Sequence, residues 1–144
     1  MKKIGVVGLG NMGMGIAKNL IKNDFDTTGF DLKDSCLKEL KDSGGNVADS
    51  VEDIGVICDV VFIMVMNGNQ VKDVVAKLSP GLKDDGTIIV TATITPEEVR
   101  SAYEIAKKNN VKMIDSPVSG GLQGAQEGTL TLMSAADKNV FNNC

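Results

Sequence analysis

Three glycines near the amino terminus are spaced in a way that can bind a phosphate group. Gly8, Gly10 and Gly13 form the pattern G-x-G-x-x-G directly after the β-branched run at residues 4–7. The first glycine permits a tight turn, the second leaves room for a phosphate beside the backbone, and the third allows close helix–strand packing. The N-terminus of the next helix would add free N–H groups and the positive end of its dipole. We expect this segment to hold the pyrophosphate of a dinucleotide.

An acidic residue follows at the end of the next predicted strand. Asp31 comes directly after that strand, and it is followed by Leu32 and Lys33 rather than by an arginine. A carboxylate at this position accepts hydrogen bonds from the adenosine ribose hydroxyls and would repel a 2′-phosphate. We therefore predict NAD rather than NADP as the cofactor, with Lys33 the one feature against a strict preference. The alternative is that the glycines only form a tight turn in a fold that binds nothing.

The rest of the chain alternates between strand and helix patterns. Strands are predicted over residues 4–7, 25–30, 59–66, 86–91, 111–115 and 129–133, the last as an edge element. Helices are predicted over 12–21, 34–40 and 70–78, and from an N-cap at Thr95, with Pro96 and Glu98, to residue 108. Ser50 and Asp53 open a short helix, residues 116–128 form a glycine-rich loop, and a further helix begins after residue 135. This order predicts one doubly wound, mainly parallel α/β sheet of the Rossmann type over residues 1–144.

The composition narrows the classes of function. Aromatic residues make up only 3% of the 144 residues, so the core must be aliphatic. A net charge of −4 provides no basic surface for nucleic acid, and the absence of histidine excludes histidine catalysis and histidine metal sites within this chain. Three widely spaced cysteines indicate neither a disulfide framework nor a metal cluster, and we expect a reducing cytoplasm. The longest apolar run, at residues 60–66, is too short to span a bilayer.

Three segments resemble a known family of enzymes. They are "IGVVGLGNMGMGIAKNL" at residues 4–20, "TITP" at 93–96 and "DSPVSGGLQGAQEGTLTLM" at 115–133, of which "PVSGG" is the more specific motif. Together they resemble the β-hydroxyacid dehydrogenases, which include 3-hydroxyisobutyrate dehydrogenase, tartronate semialdehyde reductase and L-threonate dehydrogenase. The resemblance implies hydride transfer between NAD and a small 3-hydroxy acid or its semialdehyde, by an enzyme that is a homo-oligomer.

The resemblance also implies roles for particular residues. Those that would contact the cofactor are Gly8, Leu9, Gly10, Asn11, Met12 and Gly13 at the pyrophosphate, Asp31, Met66 and Asn67 at the adenosine and its ribose, and Thr93 near the nicotinamide ribose. Ser119, Gly120 and Gly121 would bind the substrate carboxylate. Backbone N–H groups of successive Ser and Gly residues can form an anion-binding nest, which supports this assignment. The alternative is a flexible glycine loop with no ligand.

The chain departs from the family pattern in two places. Family members often carry an acidic residue and a serine just before the Thr93 position, where this chain has Val90 and Ala92. The family's catalytic lysine and its supporting asparagine lie on a helix beyond residue 144, before a helical second domain. Lys138 lacks the sequence context of that lysine, and we expect it to be a surface charge.

We therefore expect no catalytic residue in these 144 residues, which would be a fragment of a two-domain enzyme and inactive alone. Two alternatives remain: a stand-alone dinucleotide-binding module without catalysis, and an imine-reducing relative that shares the cofactor domain.

Overall fold

The structure is a computed structural model that describes residues 2–144. Its main sheet contains β1 (Ile4–Val7), β2 (Thr27–Phe30), β3 (Asn46–Val47), β4 (Val60–Ile63), β5 (Thr87–Val90) and β6 (Lys112–Asp115). Helices α1 (Asn11–Lys22), α2 (Asp34–Asp42), α3 (Val51–Ile57), α4 (Gly68–Leu78) and α5 (Pro96–Lys108) connect these strands. The remaining elements are β7 (Val118–Ser119), α6 (Gly121–Glu127), β8 (Thr131–Leu132) and α7 (Lys138–Asn142).

The strands of the main sheet lie in the order β3-β2-β1-β4-β5-β6, and every neighbouring pair is parallel. β1 lies at the centre, with Val7 paired to Phe30 of β2 on one side and to Ile63 of β4 on the other. From β1 the chain adds β2 and β3 on one side. It then crosses to the other side of β1 and adds β4, β5 and β6 outward in that direction. This confirms the doubly wound sheet and creates a crevice beyond the carboxyl ends of β1 and β4.

Aliphatic side chains pack on both faces of the sheet. On one face, a large cluster joins Val61 and Ile63 of β4 to α3, α4 and α5 through residues such as Val71 and Leu78. On the other, Val6 packs with residues of α1 and α2. Strands that are covered on both faces must be apolar at successive positions, which explains the unbroken run in β4.

An aspartate joins three segments at the amino edge of the sheet. Asp59, just before β4, accepts hydrogen bonds from the backbone N–H of Lys3 at 2.8 Å and from the Lys83 ammonium at 2.9 Å. The Lys3 N–H and then the Lys83 ammonium hold the pKa of the Asp59 carboxyl below its usual value. This edge is opposite the crevice.

Several predicted boundaries were wrong. The strand predicted over 59–66 ends at Ile63, because the chain then turns towards α4 and the Met66 N–H is bonded to the Gln70 side chain at 2.8 Å. The strand predicted from residue 25 begins at Thr27, since the Phe25 N–H is still bonded to the Leu20 carbonyl at the end of α1. Strand β3 is not predicted from the sequence, because its two exposed residues carry no periodic pattern.

The predicted glycine-rich loop at 116–128 is also corrected. It contains strand β7 and helix α6, which ends at Gly128 in the left-handed region with φ of +72°. The helix forms because Ala125 is buried against α1, and Gly124 approaches Leu130 closely. The predicted edge strand shortens to β8, which pairs antiparallel with β7 in a separate two-stranded ribbon. No helix among residues 2–144 has the length and apolar character needed to cross a bilayer.

Candidate functional site

Two glycines of the G-x-G-x-x-G motif lie where a side chain would not fit. Gly8 has φ of +92°, and a Cβ added to it would be 2.1 Å from the Met64 carbonyl oxygen. A Cβ added to Gly13 would be 1.8 Å from the carbonyl oxygen of Gly8. Gly8 thus makes the turn that leaves β1, and Gly13 brings α1 into contact with that turn, as the sequence indicates.

Gly10 differs from the other two because space surrounds it. A Cβ added there would have no other part of the protein within 4 Å. The first helical hydrogen bond runs from the Met14 N–H to the Gly10 carbonyl at 2.8 Å. Within residues 2–144, the N–H groups of Asn11, Met12 and Gly13 have no acceptor, so they remain available to an anion. The open space and these donors fit a pyrophosphate.

The Asp31 carboxylate accepts hydrogen bonds from two backbone N–H groups, one in the glycine loop and one just after β2. Its Oδ2 atom accepts a hydrogen bond from the Leu9 N–H at 2.7 Å, and its Oδ1 atom accepts one from the Lys33 N–H at 2.9 Å. Each carboxylate oxygen has a second lone pair, which a ribose hydroxyl can use. This link between Asp31 and the glycine loop is not predicted from the sequence, because hydrogen bonds to backbone N–H groups leave no sequence signature.

A cavity of about 710 Å³ extends from the glycine loop along α2, α3 and α4. Four predicted site residues line it: Gly8, Gly10, Asp31 and Met66. The lining also includes Lys33, which the sequence places two residues after Asp31, and residues that were not predicted, among them Cys36, Asp49, Ser50, Glu52, Gln70, Asp73 and Lys77. Pairing of β3 with β2 brings the following segment, with Asp49, Ser50 and Glu52, to this cavity, so missing β3 also hid these three residues.

The charged side chains that line the cavity are predominantly acidic. Asp31, Asp49 and Glu52 contribute carboxylates, and Lys33 contributes one ammonium. Asp73 is paired with Lys77 at 2.8 Å, so these two charges offset each other. The lining therefore favours an adenosine ribose that carries no 2′-phosphate.

Six predicted cofactor residues do not line the cavity: Leu9, Asn11, Met12 and Gly13 beside the two lining glycines, and Asn67 and Thr93 farther along the chain. The Asn67 side chain is the N-cap of α4 and accepts a hydrogen bond from the Gln70 N–H at 3.0 Å. Thr93 is exposed in the connection from β5 to α5. Two residues later, Thr95 forms the predicted N-cap, with Pro96 in the first turn and Glu98 completing a capping box.

The segment predicted to bind a carboxylate is exposed and has an unusual backbone. Ser119 ends β7, Gly120 has φ of +133°, and Gly121 has φ of +61°. Within the described part of the chain, the N–H groups of both glycines have no acceptor. The segment follows β6, so it lies on the carboxyl side of the sheet like the glycine loop.

Groups that could transfer protons or bind metals are few. Asp115 ends β6, where burial raises the pKa of its carboxyl, and Lys138 begins the exposed five-residue helix α7. Over residues 2–144, no group of three metal-ligating side chains lies together. The three cysteines are unpaired; burial of the Cys58 thiol raises its pKa to about 11, whereas Cys36 lines the cavity.

Comparison with known proteins agrees with this geometry. Residues 3–144 match the family model described as the NAD binding domain of 6-phosphogluconate dehydrogenase. The chain is 36% identical to the Dictyostelium discoideum protein named "Probable 3-hydroxyisobutyrate dehydrogenase, mitochondrial", with 98% of the chain and 45% of that protein covered. It is 34% identical to an NAD-dependent L-serine dehydrogenase of Pseudomonas aeruginosa, with 98% and 48% covered.

A solved structure of Mycobacterium tuberculosis 3-hydroxyisobutyrate dehydrogenase with L-serine superposes with a TM-score of 0.96 at 27% identity, covering 99% of the chain and 49% of that protein. The chain thus spans about half the length of the curated relatives it matches. These matches confirm the resemblance to hydroxyacid dehydrogenases and the expectation of NAD. The chain therefore belongs to the family described as the NAD binding domain of 6-phosphogluconate dehydrogenase.

Proposed function

We propose that residues 1–144 form the NAD-binding domain of a two-domain dehydrogenase that acts on a small 3-hydroxy acid or its semialdehyde. The observation that carries the proposal is the open space at Gly10 beside three unpaired N–H groups of α1, with Asp31 at the neighbouring strand end. The relatives named as hydroxyacid dehydrogenases support the substrate class, since the likeness extends over nearly the whole chain.

The cofactor would lie across the crevice. The segment from Gly8 to Gly13, including Leu9, Asn11 and Met12, would hold the pyrophosphate through backbone N–H groups. Asp31 would accept hydrogen bonds from the adenosine ribose, and Met66 would cover the adenosine side. Asn67, the N-cap of α4, would lie beside the adenosine and its ribose. Thr93 would lie near the nicotinamide ribose. NAD, when bound, supplies the carbon that accepts or donates a hydride.

The substrate carboxylate would bind at Ser119, Gly120 and Gly121. Two successive glycines with positive φ leave their N–H groups uncovered by side chains, and the serine hydroxyl adds a donor. A local donor set of this kind suits a small anion on a chain whose net charge is −4.

Proton transfer would come from the second domain. Hydride removal from an alcohol needs a base for the hydroxyl proton. This chain has no histidine, and Lys138 lies on a short exposed helix. That domain would also supply much of the substrate orientation and the exclusion of water. We further propose that the whole enzyme is a homo-oligomer, as the family resemblance implies. We also propose that it lies in the cytoplasm, in keeping with three unpaired cysteines. The Dictyostelium relative is named as mitochondrial, which makes the compartment a point for direct test.

The test is to measure NADH formation with a panel of 3-hydroxy acids, using the 144-residue chain beside a longer product of the same gene. We expect the longer protein to turn over at least one acid, and the 144-residue chain to bind NAD without turnover. General acid–base help alone contributes roughly 10²–10⁴-fold to such rates. Comparable turnover by both proteins would show that the proton-transfer group lies within these residues. No turnover by either, with NAD bound, would favour a non-catalytic module.

A further inference from the structure

Helices α1 and α6 are in direct contact although α6 begins about 100 residues later in the chain. A Cβ added to Gly15 of α1 would be 2.7 Å from the Ala125 carbonyl oxygen and 2.8 Å from the Ala125 Cβ. The backbone of one helix therefore touches the other, and only glycine permits this approach. The contact joins the helix whose N-terminus follows the glycine loop to the helix that follows Ser119–Gly121.

A single side chain forms the polar part of this contact. The Asn19 Nδ2 group donates to the Ala125 carbonyl at 2.7 Å, to the Gln126 carbonyl at 3.3 Å, and to the Gly15 carbonyl of its own helix at 2.9 Å. Ala125 and Gln126 are in the last turn of α6, whose carbonyls have no partner within the helix. The half-buried Asn19 amide thus binds the end of α6 to the body of α1.

The end of α6 fits around this amide. Gly128 ends the helix with φ of +72°, and a Cβ added there would be 2.7 Å from the Asn19 Oδ1 atom. A larger residue at 128 would displace the asparagine, and a residue at 19 without an amide would leave the α6 carbonyls unbonded. The two positions are therefore matched in shape as well as in hydrogen bonding.

We infer that Asn19 is a positioning residue, which fixes the Ser119–Gly121 segment relative to the cofactor-binding helix. This inference rests on the proposed function, in which that segment binds the substrate carboxylate. In α1 the amide lies two turns from the pyrophosphate donors, and in α6 it fixes the helix that begins at Gly121. One side chain thereby sets the relative placement of the two predicted ligand sites. A loss of Asn19 should loosen the carboxylate segment and leave the NAD site in place.

The test uses the 144-residue chain with Asn19→Asp, which keeps the size and removes the donor, and with Asn19→Ala in case the new charge prevents folding. The matched control is Asn109→Asp, because the Asn109 amide donates only to the Ile105 carbonyl one turn away on α5. NAD affinity is measured by calorimetry. Binding of 3-hydroxypropionate and amide hydrogen exchange at residues 118–124 are measured by NMR.

We expect both Asn19 variants to bind 3-hydroxypropionate about tenfold more weakly, and to exchange amides at 118–124 about tenfold faster, as loss of a net hydrogen bond predicts. NAD affinity should stay within about twofold. If the native chain binds the acid and the variants match it, the inference is overturned while the proposed function stands. An equal loss of NAD affinity would also overturn it, because the effect would then be general. If the native chain shows no shifts at 118–124, the proposed carboxylate site is wrong, and the exchange rates alone decide whether Asn19 positions the segment.

Discussion

The Asp31 carboxylate accepts a hydrogen bond from the backbone N–H of Leu9 at 2.7 Å. This links the end of β2 to the glycine loop, so the residue predicted to contact the ribose also fixes the turn predicted to hold the pyrophosphate. Charge selection and loop placement therefore depend on one side chain.

Substitution of Asp31 should separate these two roles. Asp31→Asn retains an oxygen that can accept from Leu9 but loses the negative charge, so NAD affinity should fall modestly and the difference between NAD and NADP should narrow. Asp31→Ala loses both functions and should weaken NAD by about 10–100-fold, the range for hydrogen bonds to a charged group. Calorimetric titration with both cofactors measures this, and Asp42→Asn, an exposed charge change at the end of α2, is the control. NADP binding as tightly as NAD to the native chain would contradict the prediction.

Valine at Gly10 should remove NAD binding, whereas valine at Gly13 should lower the stability of the domain. Gly10→Val places a side chain in open space, so the fold should persist while the pyrophosphate is excluded and NAD binding is lost. Gly13→Val drives a side chain into the Gly8 carbonyl and should destabilise the domain by about 3 kcal/mol or more. Thermal melts followed by circular dichroism, with calorimetry, distinguish the two. A Gly10→Val chain that binds NAD within a few-fold would place the phosphate site elsewhere.

The reactivity of the cysteines towards a maleimide should show whether NAD fills the cavity. Cys36 lines it and is partly accessible, whereas Cys58 is fully buried with a raised thiol pKa. In a Cys144→Ser background, a maleimide should modify Cys36 and leave Cys58 unmodified in the native state. NAD at ten times its dissociation constant should slow the Cys36 reaction about tenfold, because only the free fraction reacts. Mass spectrometry locates the label, and an unchanged Cys36 rate would mean that NAD does not fill this part of the cavity.

Burial of Cys58 should also make stability depend on alkaline pH. The pKa of the thiol is 9.0 when it is exposed and about 11 in the folded chain. Between these values the unfolded chain loses the proton and the folded chain keeps it, so stability falls as pH rises from 9 to 11. The loss should be roughly 1–3 kcal/mol. Urea unfolding of the native chain and of Cys58→Ala across this range isolates the effect, since the alanine variant lacks the group. Parallel pH profiles for the two chains would refute the prediction.

The sequence predicts most of the sheet because its strands and helices carry strong periodic patterns. The motif at Gly8, Gly10 and Gly13 is specific because each position has its own steric requirement. In the structure a side chain would not fit at Gly8 or Gly13, and Gly10 borders open space. What was missed follows from weaker signals. β3 has two exposed residues, so its pairing with β2, and with it the approach of Asp49 and Glu52 to the cavity, was not predictable. Helix α6 is predicted as a loop because its glycines, of which Gly124 packs against Leu130, resemble turn residues.

The bonds of Asp59 to Lys3 and Lys83 lie at the amino edge of the sheet, away from the crevice. Residues at that edge hold the strands together, whereas the residues predicted to contact ligands lie at the other edge. Mutational drift can therefore act on the two edges separately. A lineage that adapts to a hotter or colder habitat can exchange side chains around Asp59 without passing through ancestors that have lost the cofactor.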